Sequence, residues 1–216
     1  MKSVLVTGGT VRLGAAIAER LRAEGWRVIT SSHRADAGAD IVADLAEPRS
    51  AAKLYAATLQ MLGGMPPDAL VNNAALFTGD AAAITAVNLE APKKLTVMMA
   101  GREAGMGAVV NVLDAKALDG NRLQSTPADA YLSSKRELAA FMRSSAATFA
   151  ATLRVNGVAP GPVMAPTDVH EKAGEMLLDR RPTADDVAAA VSYLLGAEAT
   201  TGTIIPVDAG QHLLQA

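Results

Sequence analysis

Tyr131 and Lys135 stand four positions apart in YLSSK, inside a segment of helical composition, so they share one helix face and reach one ligand. An ammonium beside a phenol favours the phenolate and lowers its pKa from about 10, which makes Tyr131 a usable proton donor and acceptor near neutrality. Taken alone, the same spacing also fits two solvated helix residues. Upstream, VTGGTVRLG (residues 6–14) carries Gly8, Gly9 and Gly14 of a phosphate-cradling turn, with Arg12 where such a loop usually has a further glycine. The question is whether that loop is broken or rebuilt for a more highly charged ligand.

The chain that must position these residues has 216 residues, half of them hydrophobic, which suits one α/β domain spanning 1–216 and not two. Lys and Arg number 20 against 22 Asp and Glu, for a formal net charge of −2 with no basic run. Nothing in that balance favours a nucleic acid or an anionic membrane, so a small-molecule substrate is the expected partner. The absence of cysteine excludes disulfides, thiolate nucleophiles and Cys-based metal sites, and no metal is expected. The start, MKSVLVTGG, is too short an apolar run for a signal peptide, and no run of about 18 or more apolar residues is present to span a bilayer. A cytoplasmic protein is expected.

Short β-branched runs alternate with longer Ala- and Leu-rich segments, the pattern of a parallel sheet covered by helices on both faces. Strands are expected at 3–7, 26–31, 40–44, 69–72, 108–113, 153–158 and 203–207. Leu13, Ile17 and Leu21 mark one face of the first helix, which Gly25 is placed to end. Further helices are expected from Pro48, as the first helical residue, to Leu62, and over 84–104, 128–150 and 185–195, the last capped by Thr183. Pro206 lacks an N–H and restricts the last strand to an edge or an irregular end.

In an open parallel sheet, ligands collect beyond the carboxyl ends of the strands. Gly8 and Gly9 follow the first strand, Asn72 and Asn73 the fourth, Asp114 the fifth, and Pro160 and Gly161 the sixth. Each is ordinary loop composition when taken singly; the row of them outlines a cleft. Together TGGTVRLG, NNAA, VNLEAP, YLSSK, RVNGVAPG and TGTIIPVDAG, in that order, resemble the motifs of the short-chain dehydrogenase/reductase family. The resemblance implies a Rossmann-type, doubly wound parallel β-sheet of about seven strands, a nicotinamide cofactor, and hydride transfer to a carbonyl or imine with Tyr131 as acid/base. It further implies that Lys135 binds the nicotinamide ribose and tunes Tyr131, and that Asn88 holds a proton-relay water. Gly8, Arg12, Leu13, Gly14, Asn73, Ala74, Pro160, Gly161 and Val163 would line the cofactor, with Asp44 and Leu45 at its adenine.

The departures narrow the resemblance. Where the family usually ends its fifth strand in a catalytic serine, this chain has NVLD, with Asp114 last. The pteridine reductase subgroup is similar in having an aspartate there, in a TGxxxRxG loop, in an HRS or HRA turn like residues 33–35, and in an NNAS-x-F segment like NNAALF. The last implies that Phe77 stacks on a pterin, although one aromatic after a strand also fits a core residue. At the end of strand two, an acidic residue takes a ribose hydroxyl, whereas an arginine takes the 2′-phosphate that distinguishes NADP from NAD. His33 and Arg34 stand there and Arg12 adds a second guanidinium, so NADP(H) is expected. A half-buried carboxyl beside Tyr131 is suited to relaying the proton that a pterin ring nitrogen takes up; as a loop cap, Asp114 would have no such role.

Asp114 precedes Tyr131 by 17 positions, more than the family's usual spacing, so the loop between them must bulge, and Ser125 inside it is a rival. The segment 162–181 is short for a substrate lid and predicts an open site. The leading expectation is an NADPH-dependent pterin reductase working through Asp114, Tyr131 and Lys135. A generic NADPH-dependent carbonyl reductase and a non-catalytic NADP(H) sensor stay open beside it. The resemblance implies a homodimer or homotetramer, and the Ala-rich helix faces fit that as well as simple helix propensity.

Overall fold

The computed structural model describes residues 1–118, 130–163 and 176–215. Seven parallel strands form one sheet: β1 (Ser3–Thr7), β2 (Arg27–Ser32), β3 (Ile41–Val42), β4 (Ala69–Asn72), β5 (Gly107–Val112), β6 (Leu153–Pro160) and β7 (Ile204–Val207). Their order is β3-β2-β1-β4-β5-β6-β7. The chain winds outward from β1 to β3 and then returns to place β4 on the other side of β1, in register Val4 with Ala69 and Val6 with Val71. That reversal opens a crevice beyond the carboxyl ends of β1 and β4. The architecture is the doubly wound one the resemblance implied.

Both faces of the sheet are covered. Helices α1 (Arg12–Ala23) and α6 (Ala184–Gly196) cover one face and α2 (Ser50–Met61), α4 (Ala91–Ala100) and α5 (Ala130–Thr148) the other; the short α3 is Ala81–Thr85. Side chains alternate between the faces. Val4 and Val6 of β1 pack with Ile17, Leu21 and Val187, while Leu5 packs with Leu54, Leu95 and Met142. Because every residue of β1, β4 and β5 is buried, these strands carry continuous apolar runs and not an in-out alternation. Thr183 caps α6 in a reciprocal box with Asp186, donating and accepting at 2.7–3.2 Å. Pro206 lies on β7 at the sheet edge, where its missing N–H faces no further strand.

Several expected boundaries move, each for a local reason. Pro48 is not the first helical residue: Arg49 is left-handed at φ 66 and α2 begins at Ser50. The third strand contracts to Ile41–Val42 because Asp40 turns aside to accept from Thr30 N and Oγ1 at 2.8 and 2.7 Å. The helix expected over 84–104 instead begins at Ala81, capped by Asp80, and ends at Ala100. Between them Ala86–Glu90 widens into a π turn. Pro92 has no N–H to return to the carbonyl of residue 88, and its ring crowds that carbonyl, so the regular ladder cannot run through this point. The loop expected between Asp114 and residue 127 contains a 3-10 turn, Ala115–Ala117. Ser125 and most of the lid segment lie outside the described residues.

Candidate active site

The crevice begins at the glycine loop. Gly8 is left-handed at φ 62, and a Cβ there would press on Ala74 at 3.1 Å. A Cβ on Gly14 would fall inside the carbonyl oxygen of Gly8 and 2.6 Å from Asn73 Nδ2. Asn73 is the brace of this loop, donating from Nδ2 to the carbonyls of Thr7 and Gly8, both at 3.0 Å. Thr7 Oγ1 accepts from the N–H groups of Asn73 and Ala74 at 3.0 and 3.1 Å. Arg12 adopts φ 50, the left-handed conformation of the glycine it replaces, so the turn keeps its shape and gains an exposed guanidinium. Val11 at the α1 N-cap contributes no side-chain hydrogen bond and the first turn has no acidic residue. An uncapped N-terminus above a bare backbone cradle fits the pyrophosphate of a dinucleotide. Leu13 packs into the core beside it.

The far end of the crevice follows β2. His33 and Arg34 are exposed there. Arg34 N donates to Ser32 Oγ at 3.1 Å, and its guanidinium grips Asp36 through Nε and Nη2 at 3.0 and 2.8 Å. Asp44 closes a turn by accepting from Ala46 N at 2.9 Å. Leu45 is buried in the core with Ile29 and Leu54, so only a sliver of its side chain remains for an adenine.

The acid/base groups meet beyond β5. Tyr131 donates from Oη to Asp114 Oδ2 at 2.9 Å, so the long sequence interval between them does not separate them in space. Asp114 Oδ1 in turn accepts from Lys116 N at 2.8 Å, as the cap of the 3-10 turn. The carboxyl therefore caps the loop and partners the phenol at once. Phe77 stacks on the Tyr131 ring, with centroids 4.5 Å apart and planes at 24°. At 67% exposure it is not a core residue. Asn88 is fully buried and its amide is occupied: it accepts from Leu76 N at 2.8 Å and donates to Leu76 O at 2.9 Å and Ser134 Oγ at 3.2 Å. Its main-chain carbonyl lacks the residue 92 N–H that a regular helix would supply, because residue 92 is Pro92.

Lys135 is 2% exposed. Its Nζ donates to Val112 O at 2.8 Å and lies 5.8 Å from the Tyr131 ring centroid; among the described residues that is one hydrogen bond of the three an ammonium can give, which suits a ligand such as a ribose diol. Burial pushes its pKa down to about 8, partly opposed by Asp114. Between about 8 and the unfolded-state value of 10.5 the unfolded chain holds a proton that the native chain has released, so stability rises with pH in this window. Urea denaturation across it should show that rise in the wild type and lose it in Lys135→Met; equal slopes would mean that Lys135 is not the titrating group.

The last strand ends to meet the cleft are those of β6 and β7. Pro160 pairs with Val207, and Gly161 N donates to Val207 O at 3.0 Å. A Cβ on Gly161 would lie 2.6 Å from Asp208 Cβ. Val163 closes the turn, donating to Gly161 O at 2.8 Å and packing on the core. Asp208 is buried and accepts from Gly210 N and His212 N at 3.0 and 2.7 Å. Sequence reasoning passed over Thr7, Ser134, Asp36 and Asp208. Thr7 and Ser134 lie inside the motifs TGG and YLSSK, and their signal was the motif itself, read there only for its better-known members.

A family model described as short chain dehydrogenase matches residues 2–177. Pteridine reductase 1 of Leishmania tarentolae is 30% identical, the match covering 98% of this chain and 96% of that protein. Levodione reductase of Leifsonia aquatica is 28% identical over 96% and 93% of the two chains. The crystal structure of FolM alternative dihydrofolate reductase 1 from Brucella canis, complexed with NADP, superposes with a TM-score of 0.82 at 30% identity, covering 98% of this chain and 94% of that one. Among the described residues, no helix is long and apolar enough to cross a membrane.

Proposed function

The chain belongs to the short-chain dehydrogenase family, and from that premise we propose that it is an NADPH-dependent reductase of a pterin-type substrate such as a dihydropterin or a dihydrofolate-like compound. The observation that carries the reading is the 2.9 Å contact between Tyr131 Oη and Asp114 Oδ2, under the exposed ring of Phe77. The relatives and structures named above include pterin and folate reductases and an NADP complex, and they support it. The Gly8–Gly14 cradle and the uncapped start of α1 would hold the pyrophosphate of NADP(H), Arg12 and Arg34 its 2′-phosphate, and Lys135 its nicotinamide ribose. When bound, NADPH supplies the hydride.

The chain itself supplies the proton and the orientation. Reduction of a C=N bond needs one proton at nitrogen, and the Tyr131–Asp114 pair holds one between Oη and Oδ2. Protonated, Asp114 donates to a ring nitrogen; ionised, it accepts from the amino and ring N–H groups that a pterin presents. A serine at this position has one oxygen where the carboxyl has two, so it can meet a ketone oxygen but not the paired N–H groups of a pterin. The Lys116 N–H fixes the carboxyl plane and the Lys135 ammonium steadies negative charge on the phenol. Phe77 offers a flat apolar face to a flat heterocycle.

The decisive experiment measures NADPH and NADH oxidation against dihydropterins, dihydrofolate, biopterin and a panel of ketones and aldehydes. Turnover of pterins with NADPH is expected; turnover confined to ketones and aldehydes would overturn the substrate. Asp114→Ser should lower pterin turnover by roughly 100-fold or more, the scale of a lost general acid. The second reading is a carbonyl reductase, favoured by the likeness to levodione reductase. On that reading, Asp114→Ser keeps or raises activity. A non-catalytic sensor has no use for a buried lysine poised beside an acid/base pair.

A further inference from the structure

The Arg34 fork that would receive a 2′-phosphate is already gripping a carboxylate. Nε meets Asp36 Oδ1 at 3.0 Å and Nη2 meets Oδ2 at 2.8 Å, the two parallel bonds that a guanidinium would otherwise give to a phosphate. The partner is tethered two residues away. Asp36 lies in the short 3-10 turn Ala35–Ala37, closed by Gly38 at φ 65, and the Arg34 backbone is pinned to Ser32 Oγ at 3.1 Å. Among the described residues, the side-chain hydrogen bonds and the ion pair of the Asp36 carboxylate go to Arg34, with its own backbone N–H and the charge of His33 as lesser partners. Both side chains are largely exposed, so the pair is weak enough to be exchanged.

We propose that Asp36 is a specificity-determining residue, a tethered counter-anion that competes with the 2′-phosphate for Arg34 and lowers affinity for NADP(H) without lowering affinity for NAD(H). This rests on the cofactor reading given above. A phosphate dianion can take the Arg34 fork only by displacing the carboxylate, and the displaced carboxylate stays close because its tether is two residues long. NAD presents a hydroxyl instead, which asks for no release of Arg34 and meets no repulsion from Asp36. The preference for the phosphorylated cofactor is thereby set lower than His33, Arg34 and Arg12 alone would set it.

Calorimetric titration of the full chain with NADP+ and with NAD+ tests this by binding, independently of turnover, in the wild type, Asp36→Asn, Arg34→Gln and the double variant. Asp36→Asn is expected to tighten NADP+ by about fivefold, the scale of relieving one exposed ion pair and one like-charge contact, and to leave NAD+ unchanged. In the Arg34→Gln background the gain should shrink. The proposal is overturned if Asp36→Asn leaves NADP+ binding unchanged, weakens it, or tightens both cofactors equally while Arg34→Gln still weakens NADP+. If Arg34→Gln leaves NADP+ binding untouched, or the wild type prefers NAD+, the underlying cofactor reading falls and the proposal falls with it. Because Asp36 is exposed, Asp36→Asn is expected to fold as the wild type does, which circular dichroism checks.

Discussion

Replacing Tyr131 by Phe is expected to reduce turnover of the best substrate by about 10²–10⁴-fold, the range for a lost general acid, while NADPH binding is retained. The substitution removes one oxygen. The ring keeps its stacking on Phe77 at 4.5 Å and its place over Lys135, so positioning survives and the proton does not. Asp114 loses the partner at 2.9 Å and keeps its backbone partner at Lys116. Steady-state rates and NADPH fluorescence titration separate the two effects. Activity within tenfold of the wild type would remove Tyr131 from the chemistry.

Gly14→Ala is expected to weaken NADPH binding and to lower kcat/KM by on the order of 100-fold, the scale of a displacement of about 1 Å in a positioned reactant. A Cβ on Gly14 meets the Gly8 carbonyl, and the amide of Asn73 at 2.6 Å. Both are backbone or braced: Gly8 by its left-handed turn, Asn73 by its bonds to Thr7 and Gly8. Neither can move without opening the cradle. Overpacking of this kind also costs stability, about 1–3 kcal/mol. A wild-type dissociation constant together with a wild-type melting temperature would mean that the loop yields cheaply despite the contacts a Cβ on Gly14 meets.

Burial of Lys135 has two linked consequences. The same desolvation that lowers its pKa to about 8 places its ammonium under the phenol without competing water. A more exposed lysine would stay charged at higher pH, but it would be screened from Tyr131. The stability cost of the buried charge below this value is thus part of the acid/base arrangement.

Much of the frame was legible in the sequence. Val4, Leu5 and Val6 are apolar on successive positions because both faces of the sheet are covered, and Thr183 marks a helix start, which the structure completes with Asp186. Such signals are local, acting over one turn or one strand, and a local rule can read them. The misplacements arose where a side chain outside the local period intervened. Asp40 turned back to Thr30, Arg49 took a left-handed conformation, and Pro92 widened the helix that carries Asn88. Phe77 was ambiguous because an aromatic after a strand is consistent with either core or site until its exposure is known.

By itself, the sequence determined the alternation of strands and helices, the order of the motifs and the residue types at the strand ends, since hydrophobic period and turn chemistry are written in neighbouring residues. Only the tertiary structure decided that Asp114 reaches Tyr131 across the long interval, that Asn73 and Thr7 lock the glycine loop, and that Arg34 closes on Asp36. Such contacts depend on the path of a loop or the pitch of a turn, and no local period encodes where those bring two side chains together.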